Sequence, residues 1–231
     1  MQTSLTEFKQ TEELNQTSKY EDNTYINNEI EPNISNKYKY GQYFTKTSIV
    51  KRVVNLILNY KSYSKNIDIL EPSFGTGNFI SVLKDKEFNN ITGCEIDSSL
   101  TDNPMDFFHF PIHNKYDLII GNPPFTKYNV VESYYYPNNY LTSPINKEHY
   151  LTKKLLKKEK EKIENIFILK SLKHLKNDDS SIAFVLPISF FIKNRNKEIK
   201  EEILKKFSTI IVYQNDKVWF DYHIPCCFAI F

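Results

Sequence analysis

Cysteine is scarce. The three thiols among 231 residues, Cys94, Cys226 and Cys227, lack metal-ligand spacing, and two are chain neighbours, which in a strand point to opposite faces. That argues against a zinc site or a disulfide framework and predicts buried, reduced thiols. The five histidines, His109, His113, His149, His174 and His223, show no ligand spacing either, so no metal is expected. With only five glycines, the Gly75-Thr76-Gly77 turn has no third glycine at the spacing a dinucleotide fingerprint requires. The longest apolar run, residues 182–192, is too short for a bilayer and is interrupted by Pro187. The N-terminus is polar and acidic, unlike a signal peptide, so a soluble intracellular protein is expected. Neither sign of charge dominates. Thirty basic against 28 acidic residues leave a net charge of +2, which neither demands nor excludes nucleic acid.

What the chain does have is apolar and aromatic mass, 40% and 15% of its residues, enough for a sizeable core. Residues 1–36, rich in Thr, Asn, Glu and Gln, show no sustained period and read as disordered or loosely docked. A single domain is expected over 37–231. Thr47 is placed to cap a helix over 48–60, whose apolar stripe runs through Ile49, Val50, Val53, Val54, Ile57 and Leu58. Strands are expected at 67–71, 91–96, 116–121, 181–186, 209–213 and 226–231, and helices at 77–88, 147–176 and 196–207. Nearly continuous apolar strands alternating with helices predict an α/β fold with a largely parallel sheet covered on both faces. The last two strands have no helix between them and should pair antiparallel. In such sheets ligands sit at the carboxyl ends of strands, where Glu71 and Asn122 fall.

Three segments carry chemistry. The first is Gly121-Asn122-Pro123-Pro124-Phe125, after the apolar run 116–120. Its prolines stiffen the turn and withhold two N–H donors, leaving carbonyl oxygens to face a cleft. Asn122 adds a side-chain carbonyl and Phe125 a flat apolar face. Together they suit a planar ring with an exocyclic amino group, such as an amino-bearing nucleobase. The second is the turn Glu71-Pro72-Ser73-Phe74-Gly75-Thr76-Gly77-Asn78-Phe79, whose glycines let backbone approach a ligand. The third is Glu95, 20 residues after Gly75, placed to accept bonds from ribose hydroxyls.

These segments, with Gly41-Gln42-Tyr43-Phe44-Thr45 before them and Glu95-Ile96-Asp97 between, resemble the S-adenosylmethionine-dependent N6-adenine DNA methyltransferases in their gamma arrangement, over about residues 40–231. The resemblance implies a Rossmann-like methyltransferase fold, with a mostly parallel seven-stranded sheet, an antiparallel last strand and helices on both faces. It implies an S-adenosylmethionine-dependent enzyme that methylates N6 of an adenine flipped out of DNA. Tyr43, Phe44 and Thr45 would close over the cofactor's methionine part, and Glu71 would hold its ammonium beside Ser73, Gly75 and Gly77. Glu95 would bind the ribose, Ile96 would pack on the adenine, and Asp106 with Phe107 would meet the cofactor's amino group. Asn122 and the Pro123 carbonyl would accept from the target amino group, with Pro124 shaping the turn and Phe125 stacking on the base. Either Trp219 or Phe220 would stack opposite, and the sequence does not choose between them.

Rival readings are a methyltransferase for protein glutamine or RNA, and a catalytically idle DNA-binding subunit of a complex. No separate target-recognition domain is evident, so a specificity subunit or companion nuclease is a candidate partner. The insertion at 126–147, with Tyr128, Tyr134, Tyr135, Tyr136 and Tyr140, could serve as a recognition loop or be a packed surface loop. Lysines 153, 154, 157, 158, 160 and 162 are interleaved with glutamates and read as a solvated helix face rather than a phosphate track.

Overall fold

The computed structural model describes residues 40–129, 160–193, 196–214, 219–220 and 224–231. The segment 1–36, the tyrosines at 134–140 and the lysines at 153–158 lie outside them. Helix α1 (Thr47–Tyr60) forms where expected, with Ile49, Val50, Val53, Val54 and Ile57 buried. Its cap differs from expectation. Thr47 is the first helical residue, and the N-cap, Lys46, makes no side-chain capping bond. The helix start is tethered instead by long-range bonds, Lys46 N to Trp219 O at 3.1 Å and Asn78 Nδ2 to Thr45 O at 2.8 Å.

Then follow β1 (Ile69–Glu71), α2 (Asn78–Asp85), β2 (Ile91–Gly93), a 3₁₀ turn (Phe107–His109) and β3 (Leu118–Gly121). After these come β4 (Lys127–Asn129), β5 (Lys160–Lys162), α3 (Ile163–Lys173), β6 (Ser181–Pro187), α4 (Ser189–Ile192), α5 (Lys197–Lys206), β7 (Ile211–Tyr213) and β8 (Cys226–Ile230). Residues 160–162, expected to be helical, are a strand antiparallel to β4, with Asn129 opposite Lys160. Residues 129 and 160, which border the undescribed stretch, therefore lie side by side.

The main sheet has the order β2-β1-β3-β6-β8-β7. Strands β2, β1, β3 and β6 are parallel, and β8 runs antiparallel between β6 and β7, as expected for the last two strands. The sheet has six strands among the described residues, not seven. Between β2 and β3 the backbone forms only the 3₁₀ turn, because the ten residues separating Glu95 from Asp106 are too few for another helix and strand.

Alternation along the strands feeds two cores. Leu70, Ile119, Ile182, Phe184, Leu186, Cys227 and Ala229 face α3, α5 and the 3₁₀ turn. Ile69, Leu118, Ile120, Ala183, Val185, Cys226, Phe228 and Ile230 face α1 and α2. The neighbouring cysteines thus enter opposite cores, as their adjacency in a strand dictates. Burial pushes all three thiols up to about 12, so at neutral pH none is a thiolate nucleophile. The expected result with Ellman's reagent at pH 8 is no reaction in the native protein and three thiols per chain after denaturation. A native thiol that reacts would contradict this packing.

The chain runs from β1 to β2 on one side, then crosses back over β1 to place β3 on the other. That reversal opens a crevice between the carboxyl ends of β1 and β3, the usual ligand position in a sheet of this kind. Glu71 ends β1, and Asn122 follows β3 directly.

Candidate active site

Glu71 is 1% exposed. Its side chain leans across the crevice onto β3, and a Cβ at Gly121 would lie 3.2 Å from Glu71 Cγ. The glycine therefore brings the first motif against the Asn-Pro-Pro-Phe segment. Burial raises the carboxyl well above the ordinary carboxylate range; the Ile80 N–H partly opposes this, and Glu95 reinforces it. Among the described residues, Glu71 Oε2 has no hydrogen-bond partner.

Asn122 is anchored at one end and unsatisfied at the other. Its Nδ2 donates to Tyr43 O at 2.5 Å, while Oδ1 is buried with no hydrogen-bond partner among the described residues. Ser73 Oγ donates to Asn122 O at 3.1 Å, tying the two crevice lips together.

The Gly-Gln-Tyr-Phe-Thr segment lies across the carboxyl edge of the sheet and is held at every step. Phe125 N donates to Gly41 O at 3.0 Å. Gln42 Nε2 donates to Asp97 Oδ2 at 3.0 Å. Phe44 covers Gly75, where a Cβ would sit 2.9 Å from its ring and φ is +53°, so only glycine fits beneath it without strain. Tyr43 stacks on Phe125 at 5.8 Å and 29° and meets Phe220 at 5.9 Å. Phe220 stands edge-on to Phe125 at 6.0 Å and 75°. These three rings line the Asn122 side of the crevice. Trp219, also buried, gives its carbonyl to Lys46, and its indole Nε1 has no partner among the described residues.

Glu95 sits beyond the end of β2. Its Oε2 accepts from Gly75 N at 2.7 Å and its Oε1 from Asp97 N at 2.9 Å. Burial raises its pKa, and these N–H groups counter the rise. Ile96 is half-buried. Gly77, with φ +77°, precedes α2, and a Cβ there would meet nothing within 4 Å, so the turn borders open space. Met105 N donates to Glu95 O at 2.6 Å and so brings Asp106 beside Glu95. Asp106 Oδ1 caps the 3₁₀ turn through Phe108 N at 2.8 Å, while Oδ2 lies 3.4 Å from His109 Nδ1 without hydrogen-bond geometry. Phe107 points into the core, 5.0 Å from the Phe167 ring and 5.5 Å from that of His174.

Tyr43, Phe44, Glu71, Ser73, Gly75, Glu95, Asn122, Phe125 and Phe220 are thus joined around one crevice, whereas Phe107 backs its wall. Reading the sequence residue by residue gives no role to Gln42, Asp97 or Asn78, which clamp the strap. Their only signal is membership of the same short runs.

The switch-point sheet with its strapped crevice defines a Rossmann-like fold of the class I methyltransferase type. A Listeria monocytogenes protein assigned to the class I S-adenosylmethionine-dependent methyltransferases superposes with a TM-score of 0.56 at 16% identity, covering 80% of this chain and 58% of that one. The methyltransferase subunit of a type I restriction-modification system from Streptococcus thermophilus superposes with a TM-score of 0.60 at 16% identity, over 83% of this chain and 45% of that one.

The chain belongs to the Eco57I restriction-modification methylase family, whose model matches residues 3–220. It is 29% identical over 194 residues to the type II methyltransferase M.HincII of Haemophilus influenzae, covering 80% of this chain and 36% of that protein. The chain spans about a third of the length of the curated relatives it matches.

Proposed function

We propose that residues 37–231 form the catalytic core of a DNA methyltransferase that transfers a methyl group from S-adenosylmethionine to the N6 amino group of adenine. The observation that carries this reading is a pair of buried oxygens on the two lips of one crevice, Glu71 Oε2 and Asn122 Oδ1, without a hydrogen-bond partner among the described residues. A buried acceptor without a donor is costly, and so marks a place where a ligand completes the bonding. The family match supports DNA as the acceptor; a specificity subunit or companion nuclease would be a partner inside the cell.

The residues present fit the cofactor. Glu71 would take its ammonium, and Glu95, each oxygen already accepting one N–H, retains lone pairs for ribose hydroxyls. Ser73, Gly75 and the open space beside Gly77 would admit its backbone-facing side. Ile96 and Asp106 would meet its adenine, with Phe107 behind, and Tyr43, Phe44 and Thr45 would close the strap over it. Bound there, S-adenosylmethionine supplies an electrophilic sulfonium methyl.

The chain's own residues prepare the target. An adenine amino nitrogen is a poor nucleophile, because its lone pair is delocalised into the ring. Asn122 Oδ1 and the Pro123 carbonyl would accept its two hydrogens, favouring a tetrahedral nitrogen and fixing its direction by position and electrostatics. Flipping the base costs a few kcal/mol, which stacking on Phe125 would offset.

Phe220 is the better candidate for the second ring, since its ring already contacts Phe125, edge-on. The trio must part to admit a base, which needs roughly 7 Å between flanking planes, twice a van der Waals contact. Phe220→Ala should therefore weaken DNA use by about 1–3 kcal/mol, the worth of one stacking ring, in KM for DNA with KM for the cofactor unchanged. Trp219→Phe should leave both alone; the reverse pattern would assign the stack to Trp219.

Radiolabelled cofactor offered separately with duplex DNA, RNA and protein tests the function. Label in DNA is expected, and label confined to RNA or protein would overturn the reading.

A further inference from the structure

Behind the wall of residues 105–110 lies a lysine with no solvent exposure, Lys170 of α3. Its Nζ donates to Phe110 O at 2.9 Å and sits 5.1 Å from the Phe107 ring centroid. The Asp106 carboxylate favours its charged form. His174, at the C-cap of α3, is held neutral by burial first and by Lys170 among the charges nearby, its pKa lowered to about 4. Desolvation brings the Lys170 ammonium itself down to about 7. A charge in this position is expensive to bury and is kept only where its partners compensate it. Its partners explain its presence. Phe110 closes the 3₁₀ turn, Phe107 lies within it, and Asp106 opens it.

We propose that Lys170 is a positioning residue for the cofactor, its ammonium fixing the 106–110 turn from beneath so that Asp106 faces the cofactor's adenine. This rests on the cofactor reading given above. Lys170→Met keeps the apolar stem and removes the charge, while Lys170→Gln keeps a donor for Phe110 O. In calorimetric titration with S-adenosylhomocysteine, the wild-type chain binds and Lys170→Met binds roughly tenfold more weakly, as expected for the loss of a charge-assisted network. Lys170→Met also melts lower, because Phe110 O loses its donor; Lys170→Gln keeps that donor and its melting temperature yet still loses affinity, which a purely structural role would not produce. Asp106→Asn adds little in the Lys170→Met background, because the two residues act in series; independent penalties would multiply.

If Lys170→Met does not fold, Lys170→Gln carries the comparison. A folded variant binding with wild-type affinity overturns the role of Lys170 alone. A wild-type chain that fails to bind S-adenosylhomocysteine overturns the cofactor reading, and this inference with it.

Discussion

Asn122→Ala lowers methyl transfer by roughly 10²–10³-fold or more, the usual cost of removing one group that stabilises a transition state, while S-adenosylhomocysteine affinity changes little. The split follows from where the side chain's two ends go. Nδ2 is spent on Tyr43 O, and only Oδ1 is left for a substrate. Alanine removes both, yet Glu71, Glu95 and the glycine turn are untouched. Asn122→Asp sharpens the argument. It retains an acceptor at Oδ1 but sets a second oxygen against Tyr43 O, where the native contact is a 2.5 Å hydrogen bond. Oxygen facing oxygen is repulsive, so the aspartate variant also loses activity and melts lower than alanine. Parallel loss of transfer and cofactor affinity in Asn122→Ala would contradict the assigned division of labour. Calorimetry beside an initial-rate assay reads both.

Glu71→Gln acts on the other lip, with effects of opposite sign on binding and stability. Truncating one partner of a buried charge pair costs about 2 kcal/mol or more, so S-adenosylhomocysteine binding should fall at least roughly thirtyfold. The free protein should become more stable. Glu71 is buried, its pKa is raised chiefly by desolvation, and the neutral amide removes that charge; each kcal/mol of relief lifts the melting temperature by roughly 2–4 °C in a domain of this size. The pH dependence has a definite sign. A carboxyl whose folded pKa exceeds its unfolded value contributes stability that is present below the unfolded value and lost as pH rises through the folded one. Ligand-free wild-type protein should therefore lose melting temperature with rising pH over that window, and Glu71→Gln should flatten the slope. Ligand affinity should run the other way and strengthen as Glu71 ionises. Calorimetry in buffers of different ionisation enthalpy should show protons released on binding by wild type and fewer released by the glutamine variant. Lower stability in Glu71→Gln would show that the carboxylate is satisfied within the protein.

Much of this site is legible in the sequence because it depends on local rules. Glu71 and Asn122 end apolar runs, and Phe125 follows two prolines that allow little but a turn. The antiparallel pairing of β7 with β8 follows from the absence of a helical pattern in the sequence between them. What is not legible depends on contacts distant in sequence. Residues 160–162 carry a lysine-rich composition that favours a solvated helix, yet they pair as a strand with 127–129. Thr47 has the right chemistry for a cap, but Lys46 reaches Trp219 and the cap is unused. The ring of Tyr43 lies against Phe125, 82 positions away, which no spacing rule foresees. Helix α3 defeats pattern reading most fully. Residues 164–171 are all buried, so Glu164, Asn165 and Lys170 look like a polar face and are not one. The seventh strand fails for a simpler reason, since the interval between Glu95 and Asp106 is too short to hold it.

The most direct measurement is the identity of the methylated atom. The full chain is incubated with methyl-labelled S-adenosylmethionine and duplex DNA, and the DNA is digested and resolved by nucleoside mass spectrometry. The expected product is N6-methyldeoxyadenosine, formed by wild type and lost in Asn122→Ala. Methyl on another nucleoside, or N6-methyldeoxyadenosine formed equally by the alanine variant, would contradict a crevice built to hold an adenine amino group.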